Sequence, residues 1–406
     1  MIMVSTGKNV SDLRRSNISL ILNLLYFEGT QSRKMLSRKS SLTPAAVTIL
    51  TMELIEKGYI INSEITLRNG KAGRSEQLID INYKNLFIVG MRIDRETVEI
   101  RLFNLGLECI GSLDVEITTC VNVDDFFELL CDKIAFLMVQ NNLTSKMLLG
   151  IGVTILGIVD SIDGVSISSF GIIPDNTNIR MHIEKRLPLP VRVNNNVRSM
   201  LLAESAINHH NQGVSHLFIK YGPGLGAAFS IAQQAYNGVN HRAMELGHVT
   251  INPDGELCRC GRRGCLETIV SYEAILSEAE LILSKERTPA LYAECEKGEL
   301  TICSLVQSVV GGDVLIRQML REKFVLFSQC LESNVTILDP KTVSICSEIF
   351  VHEPIRDMFL EQVAIYAKSL GNRLVLNPDS AEIEKVGAAS LVVHSFLAGQ
   401  SVGEQY

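Results

Sequence analysis

The chain has 406 residues, 46% hydrophobic and 20% charged. That composition supports two to four folded domains at roughly 100–200 residues each and excludes a wholly disordered or collagen-like chain. No apolar run reaches the ~18 residues of a membrane span, and the start, MIMVSTGKNVSDLRR, lacks the apolar stretch of a signal peptide, so a cytoplasmic chain without a membrane partner is expected. The net charge of −7 divides unevenly, with eleven Lys/Arg against seven Asp/Glu in residues 1–80 and 27 against 38 in the remainder, and a basic head on an acidic body points to nucleic acid at the head.

Ile18, Ile21, Leu22 and Leu25 recur at i, i+3, i+4 and i+7 and predict an amphipathic helix over 13–28, closed by Glu28-Gly29. A short second helix follows, with Ser32 as its N-cap and Met35 and Leu36 turned inward. Ser41-Leu-Thr-Pro44 is a turn and a new helix start. Thr43 caps it, and Pro44 takes the first helical position, where a missing N–H costs nothing. That helix runs to about Lys57, with Gly58 just past its end. Val47, Leu50 and Leu54 face inward, leaving Ala45, Ala46, Thr48, Thr51 and Met52 near the other faces. Tyr59-Ile-Ile61, then Ile65 and Leu67, read as strands, and between Leu67 and Leu78 lies a basic loop, Arg68-Asn-Gly-Lys71-Ala-Gly-Arg74.

This order is a winged helix-turn-helix. The Pro44 helix is expected in the major groove of a double-stranded DNA operator, and the basic loop on phosphates or in the minor groove. Ser32, Arg33, Thr43, Pro44, Ala45, Thr48, Arg68, Lys71 and Arg74 are the candidate DNA contacts. Two such helices one turn of DNA apart read a palindrome, so a homodimer or tetramer is expected. The same pattern also fits a three-helix module that binds protein.

Beyond residue 85 the texture changes. Strand-like runs at 86–93, 98–103, 109–117 and 147–156, a helix at 123–140 and further alternation to the C-terminus argue an α/β architecture.

Ten cysteines are present. Seven are scattered, as free thiols are in a reducing compartment. Three cluster in Glu245-Leu-Gly-His248, followed by Cys258-Arg-Cys260-Gly-Arg-Arg-Gly-Cys265-Leu-Glu267. Cys₃His is a closed tetrahedral set for Zn²⁺, so His248, Cys258, Cys260 and Cys265 are expected to hold a structural zinc. Gly261 and Gly264 let the chain turn tightly between thiolates. The competing reading is a chance cluster of buried thiols; a disulfide competes poorly across the one-residue gap.

The run Glu-Leu-Gly-His followed by Cys-x-Cys-Gly-x-x-Gly-Cys-x-Glu resembles the ROK family (repressors, open reading frames and sugar kinases), and the winged head matches its sugar-repressor branch. The resemblance implies an actin-like ATPase fold, with two ribonuclease H-like lobes that clasp a sugar between them. The implied organisation is 1–82 winged helix-turn-helix, 83–195 small lobe and 196–406 large lobe, with a C-terminal helix able to return to the small lobe. It also implies that zinc-bound His248 holds a loop presenting Glu245 and Glu267 to sugar hydroxyls. The family's Asn-Asp pair aligns with Asn195-Asn196, which completes the implied sugar site. Two carboxylates beside an imidazole suit a polyol.

The chain departs from the kinase pattern at four places. Asn196 replaces the Asp that acts as general base, a loss that typically costs about 10²–10⁴ in rate. Gly90-Met-Arg92-Ile-Asp94-Arg95-Glu96-Thr97 replaces the first phosphate loop, usually Gly-x-Asp-x-Gly-x-Thr. Gly222-Pro-Gly-Leu-Gly-Ala-Ala228 replaces the second, with Pro223 in place of a Thr and its N–H. Cys346-Ser347 stands where a Gly-Gly borders adenosine. The expectation is therefore a repressor of a carbohydrate operon without enzyme activity, with a small sugar or sugar phosphate as effector. A sugar kinase with an appended head, or a repressor controlled by a protein partner, are the alternatives. Met244 replaces a Gly before Glu245, which could crowd the pocket, and Leu156 a Pro before Gly157.

Overall fold

The computed structural model describes residues 9–67, 76–117, 122–208, 214–232 and 234–400. They fall into two units, Met1–His209 with Val386–Tyr406, and His210–Lys385. Relative to the expected lobes, the first unit also takes in residues 196–209 and the chain's C-terminal stretch.

The head is built from α1 (Val10–Glu28), β1 (Gln31–Ser32), α2 (Arg33–Ser40), α3 (Pro44–Glu56), β2 (Ile60–Leu67) and β3 (Glu76–Ile81). Its helices start where the caps are. Asn9 and Asp12 form a capping box on α1, Ser32 accepts the Met35 N–H, Thr43 accepts the Ala46 N–H, and Pro44 opens α3. α1 ends at Gly29, with φ of 77°, a conformation that favours glycine. Ile21, Leu25, Leu36, Val47 and Leu54 are buried between the helices and the antiparallel sheet β1-β3-β2. This is a winged helix-turn-helix. Thr51 departs from expectation: it is fully buried, donating to the Val47 carbonyl (2.8 Å) and accepting from Arg33 Nε (2.9 Å), because it lies one turn beyond Val47 on the inner face. Met35 is only half-buried.

The rest of the first unit carries β4 (Phe87–Ile93), β5 (Thr97–Asn104), β6 (Cys109–Glu116), α4 (Val123–Gln140), β7 (Leu148–Ile155), β8 (Ile158–Asp160), β9 (Val165–Ser168), β10 (Thr177–Asn178), α5 (Ile179–Glu184), β11 (Val191–Asn195) and α6 (Asn196–Asn208). A five-stranded sheet runs β11-β7-β4-β5-β6, with only β5 antiparallel to its neighbours. Val89, Met91, Ile100, Phe127 and Ile134 fill the space between this sheet and α4.

The second unit carries β12 (His216–Tyr221), β13 (Leu225–Ile231), β14 (Gln234–Ala235), α7 (Glu267–Val270), α8 (Tyr272–Ile282), α9 (Pro289–Cys295), α10 (Ile302–Val310), α11 (Val314–Leu338), β15 (Thr342–Cys346), α12 (Glu353–Tyr366) and β16 (Leu374–Asn377). Its sheet runs β14-β13-β12-β15-β16, again with only its second strand in chain order antiparallel. The two sheets thus repeat one topology, as expected of two ribonuclease H-like lobes. Phe324, Phe327 and Phe359 pack its core.

The last helix, α13 (Ser380–Leu397), has most of its length in the first unit. A Cβ on Gly152 would stand 1.8 Å from the Ala388 carbonyl oxygen, and one on Gly90 3.2 Å from the Ala389 nitrogen. The two glycines let α13 lie directly on β4 and β7. Its C-terminal end meets the head, where Ser19 Oγ and Asn23 Nδ2 donate to the Leu397 carbonyl at 2.7 and 2.9 Å. Tyr59 meets Phe396 edge to face.

Candidate nucleic-acid interface and metal centre

Thr43, Pro44, Ala45 and Thr48 are all exposed on α3, as a DNA-reading helix requires. Ser32 is not: it is buried, and its hydroxyl donates to Glu76 at 2.9 Å while capping α2, so it serves the head's own scaffold. Arg33 is half-buried against Thr51. Arg68, Lys71 and Arg74 lie outside the described residues. Sequence reasoning missed Ile49, which is 64% exposed beside Met52 at 61%. The signal was available: Ala45, Thr48, Ile49 and Met52 fall at i, i+3, i+4 and i+7, opposite the Val47, Leu50 and Leu54 stripe.

The four candidate metal ligands converge. Their donor atoms all lie within 4.8 Å of one another, with Cys260 Sγ 3.6 Å from Cys265 Sγ and Cys258 Sγ 3.4 Å from His248 Nδ1. A tetrahedral zinc with Zn–S near ~2.3 Å spaces its sulfurs about 3.8 Å apart, whereas a disulfide needs about 2.05 Å. The donor set and its spacing therefore fit a tetrahedral metal ion and not a disulfide. Short-range backbone bonds hold the loop: the Cys258 N–H donates to Arg262 O (2.7 Å) and the Gly261 N–H to Cys258 O (2.9 Å). Gly261 and Gly264 take φ of 83° and 61°. A Cβ on Gly264 would stand 1.4 Å from the Asn252 carbonyl oxygen. Burial acts to raise the Cys260 pKa, but hydrogen bonds from Arg262 outweigh it and bring the thiol down to about 7.

His248 turns Nδ1 to the cysteines, leaving Nε2 3.9 Å from Glu245 Oε2. Glu245 is exposed, as a ligand-facing carboxylate should be. Glu267 is placed differently. It is buried, its Oε1 pairs with Arg259 Nη2 at 2.8 Å, and its Oε2 accepts the Leu225 N–H at 2.9 Å. Both oxygens therefore tie the metal loop to the chain at 222–225. Asn195 is likewise engaged: its Nδ2 donates to Gly157 O at 2.6 Å, and its Oδ1 accepts the Val197 N–H at 2.9 Å, capping α6. Asn196 is the half-buried first residue of that helix. Met244 adopts φ of 66°, the conformation the family's glycine would favour, and its side chain packs on the second unit's core.

Where the sequence departs from the kinase pattern, the side chains are engaged within the chain. Arg92 bridges Asp94 (2.9 Å) and Glu99, and Glu99 also meets Arg101. Burial opposes it, but the two guanidinium groups hold Glu99 below the usual carboxylate range. Cys346 is buried, and Ser347 Oγ lies 2.7 Å from Tyr272 Oη.

A family model described as the ROK family matches residues 96–394, and the chain belongs to that family. It is 25% identical over 393 residues to the xylose repressor of Caldicellulosiruptor bescii, covering 95% of this chain and 97% of that one. It is also 25% identical over 341 residues to the DNA-binding transcriptional dual regulator NagC of Escherichia coli, covering 84% and 82% respectively. A solved structure described as a ROK family transcriptional regulator, homolog of E. coli MLC protein, matches with a TM-score of 0.78 at 23% identity, over 96% of this chain and 98% of that one. That likeness carries the fold. Among the described residues no helix is long and apolar enough to cross a membrane.

Proposed function

We propose that this chain is a cytoplasmic DNA-binding transcriptional regulator, a repressor of a carbohydrate uptake or catabolism operon. It acts as a homodimer or tetramer on a palindromic double-stranded operator. The observation that carries this reading is the exposed α3 of a capped winged helix-turn-helix in a ROK-family chain. Kinase activity is lost: Asn196 cannot take a proton at neutral pH, and Arg92, Pro223 and Cys346-Ser347 occupy the nucleotide-loop positions. His248, Cys258, Cys260 and Cys265 bind a structural Zn²⁺, whose chemistry is to cross-link the loop that carries Glu245.

A small sugar or sugar phosphate is the effector, with Glu245 and His248 Nε2 its candidate contacts in the second unit. Glu267 supports that site through its bonds to Arg259 and Leu225. Effector binding shifts the DNA-binding equilibrium only by its differential affinity for the two states. The test is a coupled ATPase assay with a hexose panel, run beside thermal unfolding with the same sugars. The reading expects no turnover, and stabilisation by one sugar of about 2.7 kcal/mol at 100-fold excess over Kd. Turnover near ~1 s⁻¹, the low end for enzymes, makes the chain a kinase. Stabilisation by no sugar points to a protein effector.

A further inference from the structure

We infer that α3 reads the major groove through apolar contacts with thymine methyl groups and not through hydrogen bonds to base edges. The inference rests on the head being a DNA-binding module and names what that module recognises. α3 contains no Lys, Arg, His, Asn or Gln, the residues that hydrogen-bond guanine and adenine in the groove. Its exposed residues are Pro44, Ala45, Thr48, Ile49 and Met52, with Ile49 and Met52 more than half exposed, and one acid, Glu56, at its last position. The Thr48 hydroxyl donates to the Pro44 carbonyl at 2.8 Å, which engages its proton within the helix. The Thr43 hydroxyl oxygen is occupied by the helix cap and Thr51 is buried. Glu53 is engaged with Arg14 and Lys57.

The surroundings indicate the occupant. The neighbouring α2 carries Arg33, Lys34, Arg38 and Lys39 and no acid, although Lys34 and Lys39 pair with Glu76 and Glu28 and Arg33 donates to the buried Thr51. An apolar stripe beside a cluster of cations matches a surface that is anionic at its edges and apolar at points within. The major groove is such a surface wherever a thymine C5-methyl projects into it. α2 then supplies phosphate attraction, which carries no sequence information, and α3 supplies discrimination through methyl burial.

The test uses the full-length chain and a random duplex library at fixed salt. The best-bound duplex is then resynthesised with deoxyuridine for thymidine, which removes only the C5-methyl groups. Each contacted methyl removed is expected to weaken binding about fourfold, with the slope of log K against log salt unchanged. Ile49→Ala and Met52→Ala should abolish most of that sensitivity. Arg38→Ala should keep it while lowering the salt slope by about one. Tight binding indifferent to deoxyuridine overturns the inference and leaves the DNA-binding reading intact. No duplex bound at any salt overturns both. Ile49→Asp that dissociates the oligomer shows the stripe to be a self-interface, which also overturns it.

Discussion

Arg259, seated between the metal-ligand candidates Cys258 and Cys260, forms a 2.8 Å ion pair with the buried Glu267, whose other oxygen accepts the Leu225 N–H at 2.9 Å. One carboxylate thereby fastens the cysteine loop to the chain segment at Leu225. A Cβ on Gly224 would come within 3.0 Å of Glu267 Oε2 and 3.4 Å of Arg259 Nη2, so the pair closes over that segment.

The two truncations leave different groups unpaired. Glu267→Ala leaves the Leu225 N–H without its acceptor and is expected to destabilise the fold by about 2 kcal/mol, because the 41% exposed Arg259 guanidinium can turn to solvent. Arg259→Ala leaves the buried Glu267 carboxylate without its cation and should cost about 3 kcal/mol. Urea unfolding of both variants checks the order. Equal costs would show that the pair does not anchor the loop.

The metal loop depends on glycine at one position above others. Gly264→Ala meets the Asn252 carbonyl oxygen and a φ of 61° that side chains rarely adopt. It should destabilise the chain by about 2 kcal/mol or more and lower its zinc content. Cys265→Ser should lose the metal, as should treatment with a strong chelator. Metal analysis of the purified chain should find a single zinc, and wild-type stability unaffected by chelation would remove the structural role.

His216 gives stability a dependence on acid. It is buried, with Nε2 2.8 Å from Ser344 Oγ, and burial lowers its pKa from 6.5 to about 4. The unfolded chain therefore takes up a proton at higher pH than the folded one. Stability is full above pH 6.5, declines as pH falls towards 4, and loses about 2 kcal/mol between pH 7 and 5. Comparing wild type with His216→Asn at those two pH values isolates the effect, because the variant should lack this part of the decline.

Asn195 caps α6 through the Val197 N–H. Asn195→Ala is expected to cost about 1 kcal/mol, and Asn195→Asp less, since a carboxylate also caps. If Asn195→Ala abolishes sugar stabilisation while unfolding is unchanged, the residue is a ligand contact and not a scaffold.

What could be read in the sequence was what local chemistry decides. The three head helices follow from their caps and stripes, because Ser32, Thr43 and Pro44 act on residues within one turn. The metal set was legible because three of its ligands sit within eight positions, Cys258 to Cys265. What escaped depends on distant partners. Glu267 reads as an open carboxylate until Arg259 and Leu225 are placed beside it. Ser32 reads as exposed until Glu76, 44 residues on, is brought against it. The repeated five-stranded topology left no period in the sequence, since strand order is set by pairings such as Val343 with Leu217, which no short window contains.

The central claim is that this chain recognises specific DNA sites. Sequencing of host genomic fragments retained by the purified protein at moderate salt tests it most directly. The account expects a palindromic site enriched beside transporter or sugar-enzyme genes, in two halves about one helical turn apart. Salt-sensitive retention without any shared sequence would contradict it, leaving the basic head as a purely electrostatic surface.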